Sequence, residues 1–139
     1  MRIDAIKNGI VIDHITAGRG MKLYDLLGLA ARDDVSVAII MHVISGKMGK
    51  KDIIKIDADI PVDLDIIGYV DPGATVNIIR DGVLVEKKAI QPPKVLRGVI
   101  KCRNPRCITS TEQELDQVFK LADGVNKVYR CAYCEVAEK

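Results

Sequence analysis

The chain has 139 residues, which is enough for one ordinary domain or two small ones. The net charge is only +2, tryptophan is absent and there is a single phenylalanine, so the chain lacks the basic field and the stacking aromatics of most nucleic-acid binders. No apolar run approaches the roughly 20 residues needed to span a bilayer, and residues 1–4 begin no secretory signal, so we expect a cytoplasmic protein with no membrane partner.

The chain up to residue 89 alternates between strand and helix patterns. Its predicted strands are residues 10–15, 35–44, 52–57, 74–79 and 83–89, and its predicted helices are residues 21–31 and 62–69. Residues 35–44 are apolar on both faces, which is typical of a strand inside a sheet. Asp81 and Gly82 form a type I′ hairpin signature. The order β, α, β, β, α, β with an added strand predicts the α+β class and a ferredoxin-like N-terminal domain, an antiparallel sheet with two helices.

Residues 90–93 contain two prolines and form a short, stiff linker. We therefore predict two domains, residues 1–91 and residues 92–139. The second domain is too short to bury a sufficient core unaided. Its pattern predicts a small β-rich domain of the zinc-ribbon type, in which residues 108–124 suit either a helix or two strands.

All four cysteines lie in this second domain, Cys102 and Cys107 in a C-x4-C pair and Cys131 and Cys134 in a C-x2-C pair. Two short turns of this kind can present four thiolates to one tetrahedral Zn²⁺. Two disulfides, four unrelated buried thiols or a redox Cys-x-x-Cys are the alternatives. Disulfides are rare in a reducing compartment, and a redox motif leaves the first pair without a role. We predict one structural Zn²⁺ per chain, in a closed site with no position for a catalytic water.

Few residues suggest catalysis, because the chain has no phosphate-binding P-loop and no serine in a nucleophile elbow. Lys55 and Lys87 fall on predicted strands, and neighbouring strands would bring their ammonium groups together to suit a polyphosphate. Solvated lysines at sheet edges are the alternative. Asp13 could accept hydrogen bonds from ribose hydroxyls and His14 could contact phosphate, although a histidine in such a pattern is more often structural.

Three stretches and the cysteine pairs resemble the aspartate carbamoyltransferase regulatory chain. The stretches are residues 4–15, residues 46–56 and residues 72–77, and the two cysteine pairs follow in the order and spacing of that family. The resemblance implies a non-catalytic subunit of pyrimidine biosynthesis. Its first domain would bind nucleoside triphosphates, with CTP inhibiting, ATP activating and UTP as a further ligand. Its zinc domain would dock onto the catalytic chains and transmit allosteric control, and regulatory chains would pair as dimers.

The resemblance also implies which residues bind the nucleotide. By matching position they are Ala5, Ile6, Val11, Asp13, His14, Lys51, Lys55, Asn77, Ile79, Leu84 and Lys87. In this comparison Asp13 and Lys55 hold the ribose, and His14 and Lys87 hold the phosphates. Lys51 lies near a second nucleotide.

Two further residues, Asn104 and Glu135, match positions that face the catalytic chain in the family. The chain departs from the family at Gly82, where the nucleotide site has a tyrosine, and at Arg106, where the first cysteine turn has an asparagine. A zinc-ribbon nucleic-acid binder is the alternative function. It rests only on the basic residues beside the cysteines, which are Lys101, Arg103, Arg106 and Arg130.

Overall fold

The computed structural model describes residues 6–112 and 114–138. The chain divides into two units, Met1–Gln91 and Pro92–Lys139, and the division falls at the pair of prolines. Each unit has its own β-sheet. Of the helices within the described residues, none has both the length and the apolar character needed to cross a membrane.

The described part of the first unit consists of one antiparallel sheet and two α-helices. Its strands are β1 (Gly9–Thr16), β2 (Val37–Ser45), β3 (Gly49–Ile56), β4 (Thr75–Arg80) and β5 (Val83–Ala89), and its helices are α1 (Gly20–Leu26) and α2 (Leu64–Val70). The strand order is β2-β3-β1-β4-β5, with every pair antiparallel. Without β5 this is the order and arrangement of a ferredoxin-like domain, so the predicted fold class is confirmed.

One face of this sheet carries the core. Ile10, Ile12 and Ile54 are buried, together with Leu23 of α1 and Ile67 of α2. Burying each such side chain stabilises the fold by about 1.5–3 kcal/mol. Because successive residues of a strand point to opposite faces, the residues between these isoleucines lie on the second face of the sheet.

Helix α1 is shorter than the apolar spacing of residues 21–31 predicts. It ends at Leu26, and a separate 3-10 turn covers Leu29–Ala31. Gly28 between them has a φ of 70° and donates its amide N–H to the Asp25 carbonyl. A glycine in the left-handed region commonly ends a helix, and here it outweighs the apolar pattern that continues beyond it.

Strand β2 lies at the edge of the sheet, so the prediction that residues 35–44 form an interior strand is wrong. Its apolar side chains stay accessible, with Met41 46 % and Ile44 86 % exposed. Within the described part of the chain, β3 is the only strand that pairs with β2. A long apolar strand edge is a surface that proteins usually cover or interrupt.

Two β-bulges lie on either side of β3. The register of β1 against β3 shifts around His14, and the register of β2 against β3 shifts around His42. Both histidines have positive φ angles, 58° and 60°. Few residues other than glycine adopt this region. Each bulge inserts an extra residue and re-aims the side chains next to it.

A buried carboxylate lies next to these bulges. Asp52 of β3 is fully buried, and its Oδ2 accepts the amide N–H groups of Gly18 and Gly20, each at 2.9 Å. Its Oδ1 accepts the amide N–H of His42 at 3.0 Å. A Cβ added at Gly20 would lie 2.9 Å from the carboxylate, so only glycine fits there without displacement. Asp52 therefore ties both the turn before α1 and the β2 bulge to strand β3.

The second unit is β-rich, as predicted. Its elements are β6 (Val95–Arg97), a short helix α3 (Ile108–Thr111), β7 (Val118–Asp123) and β8 (Val128–Cys131). The strands pair antiparallel in the order β6-β7-β8. Leu96, Phe119 and Tyr129 are buried, and the Tyr129 hydroxyl donates to the Pro93 carbonyl at 2.7 Å. Residues 108–124 suited either a helix or two strands, and the described ones among them form one short helix and β7.

Candidate metal centre and nucleotide site

The four cysteines of the second unit converge on one point. Cys102 Sγ lies 3.6 Å from Cys134 Sγ, and Cys107 Sγ lies 3.7 Å from Cys131 Sγ. All four sulfurs lie within 4.8 Å of one another. Sulfurs bound tetrahedrally at about 2.3 Å from a zinc ion are about 3.8 Å apart, whereas a disulfide requires a bond of about 2.05 Å. The cluster therefore fits a tetrahedral metal site and does not fit two disulfides.

Backbone hydrogen bonds fold each cysteine pair into a turn. In the first turn the amide N–H of Cys107 donates to the Asn104 carbonyl at 3.1 Å, and in the second the amide N–H of Glu135 donates to the Cys131 carbonyl at 2.9 Å. Cys131 is the last residue of β8, so the sheet holds the second turn in place. The predicted spacing thus produces two turns that present their sulfurs to each other.

The four thiols have different surroundings. Burial raises the pKa of the Cys102 thiol to about 12. The Thr109 hydroxyl lowers the pKa of Cys107, and the Asn104 side chain lowers the pKa of Cys134 to about 6. Metals bind the thiolate form, so ligation by this set displaces protons. Four protein ligands complete a tetrahedron and leave no position for water or substrate, which is the property of a structural site.

Four of the predicted nucleotide-binding residues form a row across the first sheet. Lys55 of β3 pairs with Val11 of β1, Val11 also pairs with Asn77 of β4, and Asn77 pairs with Lys87 of β5. Directly opposed residues of antiparallel strands project from the same face. Lys55, Val11 and Asn77 are half-buried and Lys87 is exposed. The row therefore lies on the face away from the core, where a ligand can reach it.

Lys55 and Lys87 are not on neighbouring strands, and that part of the hypothesis is wrong. Strands β1 and β4 lie between them, so their backbones are three strand spacings, about 14 Å, apart. The two lysines can contact opposite ends of an elongated ligand more readily than one phosphate group.

A polar cluster lies beside this row. Lys51 Nζ is 3.0 Å from Asp13 Oδ1, with the side chains 17 % and 22 % exposed. Asp13 Oδ1 also accepts the amide N–H of His14 at 2.6 Å, and His14 Nδ1 lies 3.0 Å from Thr75 Oγ1. Desolvation acts to raise the pKa of Asp13, but hydrogen bonds from Lys51 and from the His14 amide outweigh it and lower the pKa. Asp13 is therefore ionised at neutral pH.

The remaining predicted nucleotide residues lie toward the other end of β4. Ile79 pairs with Leu84 of β5, and Ile6 is half-buried in the segment before β1. Ala5 lies outside the described residues. Thr75 was not predicted as a site residue, and only its position within residues 72–77, one of the stretches that carry the family resemblance, pointed to it.

Asn104 and Glu135, predicted to face a partner chain, lie one in each cysteine turn. The Asn104 carbonyl accepts the Ser110 hydroxyl at 2.7 Å. Glu135 has a φ of 66°, and its carbonyl accepts Arg130 Nη1–H at 3.0 Å. Glu135 is exposed and Asn104 is half-buried.

Comparisons with known proteins agree with this arrangement. The chain matches the family model for the allosteric domain of the aspartate carbamoyltransferase regulatory chain over residues 1–91, and the model for the metal binding domain of the same chain over residues 94–138. It is 47 % identical over 135 residues to the aspartate carbamoyltransferase regulatory chain of Clostridium botulinum, covering 97 % of this chain and 92 % of that protein. It is 47 % identical over 136 residues to that of Clostridium tetani, covering 97 % and 94 %. It is 42 % identical over 139 residues to that of Bifidobacterium longum, covering 100 % and 99 %. Because two family models together match almost the whole chain and these relatives are 42–47 % identical over nearly its full length, the chain belongs to the family of aspartate carbamoyltransferase regulatory chains, the non-catalytic subunits of that enzyme.

Proposed function

We propose that the first unit binds nucleoside triphosphates on the open face of its sheet and thereby controls the catalytic chains of aspartate carbamoyltransferase. The ligands would be CTP and ATP, with UTP as a further one. The observation that carries the proposal is the row formed by Lys55, Val11, Asn77 and Lys87. It gives a sheet face with an ammonium group toward each end and half-buried residues between them, which suits an elongated anion with an apolar part.

The polar cluster beside the row supports a role in orienting the ribose and phosphates. Asp13 presents a carboxylate that can accept hydrogen bonds from hydroxyl groups. Its ion pair with Lys51 offsets its charge, so a phosphate placed near His14 meets less repulsion. Main-chain groups and apolar side chains around Ile79 and Leu84, toward the other end of β4, would contact the base.

We further propose that the second unit holds one structural Zn²⁺ through Cys102, Cys107, Cys131 and Cys134. Tetrahedral coordination by four sulfurs is typical of zinc or iron–sulfur centres, and a single zinc ion fits sulfurs that lie this close together. When bound, the metal supplies a cross-link between the two cysteine turns and takes part in no reaction step. Its binding free energy becomes folding free energy for a unit with a small core.

The exposed apolar residues support two protein partners. Met41 and Ile44 on the edge of β2 would be covered by a second copy of the chain, which gives a regulatory dimer. In the second unit Ile108 and Tyr133 are 51 % and 44 % exposed next to the cysteine turns, close in sequence to Asn104 and Glu135. That surface would dock onto a catalytic chain. The proposal includes a cytoplasmic location, where the four free cysteines would stay reduced, and gives no role to nucleic acid.

Calorimetric titration of the full chain with CTP, ATP and the corresponding nucleosides tests the nucleotide site. Lys87→Ala should weaken triphosphate binding by about one to two decades, since it removes a charge-assisted hydrogen bond, and should leave nucleoside binding nearly unchanged. Lys88→Ala is the matched control, because Lys88 pairs with the buried Val76 and lies on the opposite face of the same strand. Wild-type chain that binds neither triphosphate, or Lys87→Ala and Lys88→Ala variants that bind equally, would contradict the assignment.

A further inference from the structure

One polar side chain lies buried against the cysteine cluster. Thr109, the second residue of α3, is 6 % exposed. Its hydroxyl donates to Cys107 Sγ at 3.1 Å, in a contact that is itself buried. Cys107 is the residue that immediately precedes α3, so the first turn of the helix places the Thr109 hydroxyl against this ligand atom.

The neighbouring hydroxyls of α3 point elsewhere. Ser110 Oγ donates to the Asn104 carbonyl, and Thr111 Oγ1 donates to the Ile108 carbonyl at 3.1 Å. Both of these residues are exposed. The contact between Thr109 and sulfur is therefore specific to one position in a run of three hydroxyl residues, and Thr111 provides a matched comparison on the same helix.

A hydroxyl in this position has a defined effect on a metal thiolate. The sulfur of Cys107 carries negative charge when it ligates a metal, and it is buried 3.7 Å from the sulfur of Cys131. A donor aimed at it fixes the direction of the sulfur and stabilises its negative charge, so that a buried thiolate costs less free energy and binds the metal more tightly. Removing a hydrogen-bond partner of a metal ligand commonly lowers the metal affinity by about 10–100-fold.

We propose that Thr109 is a positioning residue of the metal centre, whose hydroxyl orients the Cys107 thiolate and stabilises its negative charge. This inference rests on the proposed zinc site. It adds a residue that lies outside the four-cysteine set and does not touch the metal itself.

Four variants of the full chain separate the hydroxyl from the packing of the side chain. Thr109→Val keeps the shape of the side chain and removes the hydroxyl, whereas Thr109→Ser removes a methyl group and keeps the hydroxyl. Thr109→Ala differs from Thr109→Ser only by the hydroxyl, so this pair carries the comparison if the valine variant does not fold. Thr111→Val removes an exposed hydroxyl of the same helix.

Two measurements are needed. The first is zinc affinity, by competition with a chromophoric chelator. The second is the sulfur-to-metal charge-transfer band of the chain loaded with Co²⁺. Thr109→Val and Thr109→Ala should lose about 10–100-fold in affinity, with Thr109→Ser and Thr111→Val within about twofold of wild type. The charge-transfer band should move to longer wavelength only in the two variants without the Thr109 hydroxyl, because a sulfur without its donor is more easily oxidised. A purely structural loss would weaken binding without this spectral change.

Two results would overturn the inference. One is a zinc affinity equal to that of wild type, together with an unshifted charge-transfer band, in both Thr109→Val and Thr109→Ala. The other is a Thr109→Ser variant as impaired as Thr109→Ala, which would assign the effect to the methyl group. A wild-type chain that takes up neither Zn²⁺ nor Co²⁺ would refute the proposed metal site and the inference together, so the two failures are distinguishable.

Discussion

Replacement of Asp52 by asparagine should selectively release the bulge in β2. The carboxylate accepts three backbone N–H groups, from Gly18 and Gly20 at Oδ2 and from His42 at Oδ1. Asparagine has one side-chain oxygen, and if this oxygen faces the two glycines the hydrogen bonds from their amide N–H groups are kept. Its NH2 group then faces the N–H of His42, so one charge-assisted hydrogen bond is lost and two donors oppose each other.

The size of the effect follows from this geometry. A hydrogen bond to a charged group contributes about 1.5–3 kcal/mol, and a buried donor left without an acceptor costs about 1–3 kcal/mol. We therefore expect Asp52→Asn to lower the free energy of unfolding of the first unit by about 2–4 kcal/mol, and Asp52→Ala, which leaves three amides without this acceptor, to lower it further. This is a large part of the 5–15 kcal/mol typical of a domain.

Hydrogen exchange measured by NMR resolves the effect residue by residue. In Asp52→Asn the protection of the His42 amide should fall by at least about tenfold more than that of the Gly18 and Gly20 amides, because only His42 loses its acceptor and about 1.4 kcal/mol corresponds to one decade. Asp57→Asn, an exposed substitution just beyond β3, is the control and should change stability by less than about 0.5 kcal/mol. The reasoning is refuted if His42 keeps its protection in Asp52→Asn, or if the three amides lose protection to the same extent.

Three further predictions concern single contacts. Asp63→Ala should destabilise the first unit by about 1 kcal/mol in urea unfolding, because the Asp63 carboxylate caps α2 by accepting two amide N–H groups at the start of the helix. Asp63→Asn should keep most of the stability, and equal losses in the two variants would contradict this. Tyr129→Phe should cost about 0.5–1.5 kcal/mol in the second unit, since it removes the buried hydrogen bond to the Pro93 carbonyl; an unchanged melting temperature would speak against that contact. The pKa of Asp13 is lower in the folded chain than in the unfolded one, so its contribution is present above the unfolded value of about 3.9 and is lost as the pH falls through the folded value. Asp13→Asn should therefore destabilise the nucleotide-free chain at pH 7, and acid unfolding curves of the two proteins should converge at low pH, whereas a constant difference would exclude this linkage.

Features set by local sequence could be predicted. The turn at Asp81 and Gly82 has φ angles of 52° and 75°, as a type I′ turn requires. It could be predicted because the two central residues determine the turn type. The cysteine pairs predicted a four-sulfur cluster. The spacing within each pair determines its own turn, and a shared metal ion gives a reason for the two turns to come together. The ferredoxin-like order followed from the alternation of strand and helix patterns.

Features set by distant pairing could not be predicted in this way. The bulges at His14 and His42 exist only relative to β3, and the sequence around each histidine looks like a continuous strand. The buried role of Asp52 depends on the turn before α1 and on the bulge in β2, which reach it from elsewhere in the chain. The prediction for β2 was wrong for a related reason. Apolar residues on both faces are equally compatible with an interior strand and with an edge strand that a partner covers.

The bulge in β2 has a consequence for aggregation. It divides the pairing of this edge strand with β3 into two short stretches, residues 37–40 and residues 43–45. A flat, continuous apolar edge would accept almost any extended chain, including an unfolded one, whereas a bent and interrupted edge accepts only a strand with a matching break. A second copy of the same chain has that break by symmetry. In the proposed regulatory dimer, the bulge at His42 would leave Met41 and Ile44 available to the second copy while protecting the exposed edge from growth into fibres.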